Sequence, residues 1–147
     1  MEDFQTTRSS AYWEHFPHVA DMGIRGFGGT PSQAFAQAAL AMTAIICNPE
    51  AVTPHQPVAV RCEAPDRELL LVDWLNALIY EMAVRGMLFS RFEIDIEGNV
   101  LTATAWGEAV DRHRHEPAVE VKGATYTELR VYRDRRSLWV AQCVVDV

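Results

Sequence analysis

Leu70-Leu71-Val72-Asp73-Trp74-Leu75-Asn76-Ala77-Leu78-Ile79-Tyr80-Glu81-Met82 and, a little further on, Phe92-Glu93-Ile94-Asp95-Ile96-Glu97-Gly98-Asn99 contain the change of period that decides the fold. In the first run Leu70, Leu71, Trp74, Leu75, Leu78, Ile79 and Met82 recur with the 3.6-residue spacing of an amphipathic helix. In the second, Phe92, Ile94 and Ile96 alternate with Glu93, Asp95 and Glu97, the two-residue period of a strand with one buried face. Gly98-Asn99 is a turn, and Val100 to Trp106 brings the chain back as a β-hairpin. A helix followed by a hairpin implies antiparallel pairing and an α+β protein.

Working outward, Asp66 caps a helix over about Arg67 to Val84, and Arg85-Gly86 stops it. Upstream, Val58, Val60 and Cys62 alternate as a half-buried strand. Thr30-Pro31-Ser32-Gln33 has a capping threonine, proline at the first helical position and glutamine at the third. It opens a helix from Pro31 to about Ile46, with Phe35, Ala38, Ala39, Met42, Ile45 and Ile46 on one face, stopped by Asn48-Pro49. Tyr12 to Phe16 reads as a short strand, His18 to Gly23 as a turn, and Ile24 to Phe27 as a strand ended by Gly28-Gly29. Downstream, Asp111 to Glu116 reads as a charged loop, Val119 to Val121 as a strand and Ala124 to Thr127 as a turn of helix. Glu128 to Arg133 and Ser137 to Val145 form a last hairpin around Asp134-Arg135-Arg136. The prediction is an α+β domain over residues 12–147, with two amphipathic helices packed on a mixed, largely antiparallel sheet. Residues 1–11 read as a flexible tail.

Composition narrows the function. The chain has 147 residues and a net charge of −7. Such acidity argues against direct, sequence-independent nucleic-acid binding. The longest apolar runs, such as Leu69 to Val72, are far short of the ~20 residues a membrane span needs, and no signal peptide is visible at Met1-Glu2-Asp3. Cys47, Cys62 and Cys143 form no C-x-x-C pair and read as reduced core thiols of a cytoplasmic protein. Of the thirteen basic residues only Lys122 is lysine, which singles it out as a compact, flexible point charge.

Several residues are candidates for chemistry. His15-x-x-His18-x-x-Asp21 offers two imidazoles and a carboxylate, although an extended stretch need not put the histidines on one face. Asp21, Asp146 and the carboxylate of Val147 would form an all-oxygen site for a hard cation if the last strand lies beside the Asp21 turn. Lys122, in Val121-Lys122-Gly123-Ala124-Thr125-Tyr126, can present an ammonium to phosphate or carboxylate. The G-x-x-x-x-G-K-[ST] loop is absent, and Gly26, Gly28 and Gly29 read as a plain turn. Asp73 sits beside the apolar stripe of the second helix, where either a buried partner or a surface place accounts for it. His113-x-His115 would share a face on a strand and be solvated in a loop. No Ser-His-Asp or Cys-His-Asn arrangement supports nucleophilic catalysis.

Four blocks in order resemble the archease family: His18-Val-Ala-Asp21-Met-Gly23, Leu70-Leu-Val-Asp-Trp-Leu-Asn76, Val121-Lys122-Gly-Ala-Thr-Tyr126 and Val144-Val145-Asp146-Val147. The resemblance covers about residues 12–147; Ser32 and Gln33 stand where the family often has acidic residues. It implies an α+β fold built around strand–helix–strand–strand elements. It also implies a protein that is not an enzyme but activates the GTP-dependent tRNA-splicing RNA ligase, promoting its guanylylation and multiple turnover. The implied cofactor is a divalent cation, Ca²⁺ foremost with Mg²⁺ or Mn²⁺ as alternatives, held by Asp21, Asp146 and Val147. Lys122, His18 and Asp73 are the implied contacts for activation. The competing readings are a metal-dependent hydrolase using Asp21 and Asp146, which lacks an evident general base, and a general chaperone, which would need an exposed apolar surface.

Overall fold

The structure, a computed structural model, describes residues 11–147. Apart from Ala11, the tail expected over 1–11 lies outside the described residues. The elements are β1 (Tyr12–His18), β2 (Asp21–Gly28), α1 (Pro31–Ile46), β3 (Gln56–Glu63), α2 (Arg67–Arg85), β4 (Met87–Glu97), β5 (Val100–Ala109), a one-turn α3 (Arg112–His115), β6 (Gly123–Ala124), β7 (Arg130–Arg133) and β8 (Trp139–Asp146).

The class is α+β, and the strands divide between two sheets. The larger runs β1-β2-β8, with β6 and β7 sharing the far edge of β8; the smaller runs β3-β5-β4. Every pairing among the described residues is antiparallel. The two helices lie between the sheets, and each contacts strands of both. Two sheets form because each helix buries more than one stripe. Leu70, Leu71, Trp74, Leu75 and Leu78 of α2 are all within 1% of full burial, so α2 needs an apolar partner on both sides.

Both helices end as their sequences require. The Thr30 hydroxyl accepts from the Gln33 N–H at 3.1 Å, and the Gln33 side chain reaches back to the Gly29 N–H at 2.7 Å. The Asp66 carboxylate accepts from the Leu69 N–H at 2.9 Å, and Gly86 closes α2 with φ 63°. Trp74 donates its indole N–H to the Phe35 carbonyl at 3.1 Å, joining α2 to α1. Gly26 lets α1 close on β2: a Cβ there would stand 2.2 Å from the Ala34 carbonyl oxygen and 2.3 Å from the Ala38 nitrogen.

Three local expectations are corrected. Val119 to Val121 pairs with no strand: Ala118 is tethered to the Ile46 carbonyl at 2.8 Å, and buried Val121 turns into the core. Gly123–Ala124 is a strand, because β8 extends to Asp146 and offers it a ladder, and the turn falls later, at Thr127–Glu128. The stretch after Asp111 is a helical turn, capped by the Asp111 carboxylate on the His113 and Arg114 N–H groups.

Candidate functional site

The site is built by register. β1 and β2 pair His18 with Asp21 across a two-residue turn. β2 and β8 pair Met22 with Val145, so the next step along both strands brings Asp21 beside Asp146. β6 pairs Gly123 with Asp146, and the Lys122 N–H donates to the Asp146 carbonyl at 2.7 Å. His18, Asp21, Asp146 and Lys122 therefore form one row across the end of the larger sheet. Strand alternation puts the side chains of His18, Asp21 and Asp146 on the sheet face turned away from the helices.

Each segment is fixed locally. The turn has Val19 88% exposed and Ala20 at φ 62°, a left-handed conformation that costs a non-glycine residue energy. The Asn76 side-chain carbonyl accepts from the Ala124 N–H at 2.9 Å, so α2 holds β6 against β8. The Thr125 N–H and hydroxyl both donate to the Val144 carbonyl, at 3.0 and 2.8 Å. Nothing in the sequence around Asn76 and Thr125 shows what they hold; the fold supplies it.

The row is electrostatically unfinished. Among the described residues, Asp21, Asp73, Asp146 and Lys122 take part in no ion pair. The His18 Nδ1 is buried with no hydrogen-bond partner. No three His, Cys, Asp or Glu side chains among the described residues form a metal-binding group. A cation at the row would take two side-chain carboxylates, Asp21 and Asp146, and complete its shell with oxygens of Val147 and water. Two carboxylates completed by chain-end and water oxygens suit a hard cation.

The other candidates lie elsewhere. His15 is three residues from His18 on a strand, hence on the opposite face, and its Nε2 donates to the Ala41 carbonyl at 2.8 Å. It ties β1 to α1. Asp73 is exposed on α2, on the side where its charge helps raise the Cys62 thiol; burial is the larger cause, and the result is about 11. Burial likewise pushes the Cys143 thiol up to about 12 and raises Cys47, so these thiols stay protonated.

His113 and His115 are not a ligand pair. His113 is exposed, and the His115 side chain is fully buried. Its Nδ1 accepts from the Asp111 N–H at 2.9 Å, which leaves Nε2 as the donor to Glu108 at 2.8 Å. Neither ring nitrogen is free to move a proton. Glu108 is also gripped by both terminal nitrogens of Arg114, at 2.6 and 3.0 Å, and by the Thr53 N–H at 2.8 Å. This buried hub carried no sequence signal, because Glu108 sits in an otherwise ordinary strand.

The family model of the archease protein family matches residues 13–147. The chain belongs to the archease family. An archease of Pyrococcus furiosus is 37% identical over 139 residues, covering 92% of this chain and 98% of that protein. An archease of Methanopyrus kandleri is also 37% identical, covering 92% and 99%. Among solved structures, Methanobacterium thermoautotrophicum protein 1598 superposes with a TM-score of 0.80 at 32% identity, covering 92% of this chain and 98% of that one. A Thermotoga maritima archease, described as a possible chaperone, shares the fold at a TM-score of 0.58 and 20% identity, covering 91% and 96%. No helix among the described residues is long and apolar enough to cross a membrane.

Proposed function

We propose that this chain activates a GTP-dependent tRNA-splicing RNA ligase, promoting guanylylation of the ligase and its return for further turnovers. The observation that carries this reading is the row at the sheet end, where His18, Asp21, Asp146 and Lys122 converge with no ion-pair partners of their own among the described residues. Unpaired carboxylates at neighbouring register positions repel one another, and an incoming cation or a basic partner relieves the repulsion. Two strongly exposed apolar side chains lie on the segments that build the row: Val19 at 88% in the β1–β2 turn and Tyr126 at 70% just after β6. An acidic end with exposed apolar groups on its segments suits docking onto the basic, metal-dependent pocket of an RNA-joining enzyme.

In this reading Asp21, Asp146 and Val147 hold a divalent cation, Ca²⁺ first and Mg²⁺ or Mn²⁺ in its place. The cation supplies positive charge that neutralises the carboxylates and can meet a phosphate oxygen. Lys122 presents its ammonium beside them, and His18 and Asp73 are partner contacts. The chain itself carries out no bond-making step. Neither His15 nor His115 can serve a hydrolase as general base, because both nitrogens of the buried His115 are occupied and His15 is a structural tether; His18, in the row itself, is read here as a partner contact.

The test is guanylylation of the cognate ligase by GTP and Mn²⁺, then multiple-turnover ligation, with and without this protein. Substoichiometric wild type is expected to stimulate both. Asp21→Ala, Asp146→Ala and Lys122→Ala, folded by circular dichroism, are expected to lose stimulation at least about tenfold, or about 1.4 kcal/mol of coupling. A folded wild type that fails to stimulate overturns the reading.

A further inference from the structure

We infer that the β7–β8 turn, at the opposite end of the larger sheet, is a contact site for single-stranded nucleic acid. The whole-chain charge of −7 argues against this only if charge is evenly spread, and it is not. Residues 130–136 read Arg-Val-Tyr-Arg-Asp-Arg-Arg. The one carboxylate there, Asp134, is already engaged by the Arg136 guanidinium at 3.0 Å and by the N–H groups of Arg136 and Leu138. Arg130, Arg133 and Arg135 are exposed, and none of them enters an ion pair among the described residues. Three unneutralised guanidinium groups on one short hairpin make a local positive field in an acidic molecule.

Aromatic rings lie among these arginines. The Arg130 guanidinium stacks over the Tyr132 ring at 3.9 Å from its centroid. Trp139 is flanked by Arg67 and Arg133, each at 5.9 Å. Arg136 lies over Tyr12 and Phe27, whose rings are stacked at 4.2 Å. A guanidinium stacked on a ring keeps its in-plane N–H donors for another acceptor, and its fork matches phosphate. Arginines beside partly exposed rings, Tyr132 on one face of the hairpin and Trp139 on the other, are what single-stranded chains use, with phosphates on the cations and bases on the π-faces. An acidic polypeptide would use the cations and leave the rings without a role. The use of arginine at every basic position except Lys122 agrees with phosphate recognition. This inference does not rest on the ligase reading, since it concerns binding by this chain alone.

The experiment is fluorescence anisotropy of a labelled oligouridylate twelve-mer titrated with the full chain between 50 and 200 mM salt. Saturable binding is expected, with log K falling against log salt at a slope of about −2 for three phosphates on a single strand. Arg133→Ala/Arg135→Ala is expected to weaken binding at least about tenfold at the low-salt end and to flatten the slope to about −0.7. Tyr132→Leu should leave the slope and weaken binding about fivefold or more. Arg135 makes no side-chain hydrogen bond or ion pair among the described residues, so Arg135→Glu alone keeps the test valid if the double variant misfolds; it should weaken binding in the same sense. Absence of saturable binding at 50 mM salt overturns the inference, as do variants that bind like wild type. It is equally overturned if a polyglutamate chain or an RNA duplex of equal charge binds as tightly.

Discussion

Glu108 shows how one residue can bind together segments far apart in sequence. Its carboxylate joins Arg114, His115 and the Thr53 N–H, so the loop after α1, the end of β5 and the turn of α3 meet on two oxygens. The hydrogen bonds from Arg114 are the largest of the causes that hold this carboxyl at about 2, against desolvation that would raise it. A carboxyl depressed below its ordinary 4.5 stabilises the fold fully above that value. The contribution is lost as pH falls from about 4.5 through about 2. Glu108→Gln should therefore destabilise the protein by about 1–3 kcal/mol at pH 7, the cost of a lost charge-assisted network. The gap between the variant and wild type should narrow as pH drops from 4.5 towards 2. Urea unfolding of both proteins across that range checks it, and a gap independent of pH would contradict this account. Sequence could name His115 but not its state. A histidine in a stretch dense with charge reads as solvated, and only the fold shows Glu108 of the neighbouring strand closing over it.

At the scale of elements, the β2–α1 contact sets how far the larger sheet stands from the helical layer. Gly26 has no room for a side chain, since a Cβ would meet α1 main chain at 2.2 and 2.3 Å, and backbone cannot swing aside as a flexible side chain does. Gly26→Ala should cost about 1–3 kcal/mol. It should lower the denaturant midpoint with little change in slope, because the folded surface area barely changes. An unchanged midpoint would mean that α1 can shift freely on β2. The reading of Gly26 as part of a plain turn missed this packing role, since a glycine that admits a helix and one that makes a turn look alike in sequence. The helices themselves were legible, α1 to the residue and α2 to within one at its end, because caps and the 3.6-residue period are local signals. The partition into two sheets was not: strand partners come from Val58 through Ala105, distant in the chain. The row at the sheet end was half legible. Its residues were named by motif, but their convergence depends on the register of β8 against β2 and β6.

Across the whole molecule, β8 has opposite electrostatic ends. Asp146 closes it within the carboxylate row, and Trp139 opens it beside the arginine turn. They lie seven residue steps apart, about 23 Å at about 3.3 Å per residue. The Debye length near physiological ionic strength is about 8 Å, so neither charge cluster senses the other through solvent. The strand between them is buried from Val140 to Val145 and offers no loose segment to transmit a change. The two ends should therefore act independently. Asp146→Ala is expected to remove ligase stimulation while leaving oligouridylate binding within about twofold of wild type. Arg133→Ala/Arg135→Ala is expected to do the reverse in guanylylation, a step that needs no RNA. Combined, the changes should add to within about 0.5 kcal/mol in each assay, as for separate sites. If Asp146→Ala also weakened RNA binding tenfold, or the arginine variant also lost guanylylation, the two ends would belong to one continuous docking surface. The acidic row would then act as part of that larger surface and not as a self-contained site.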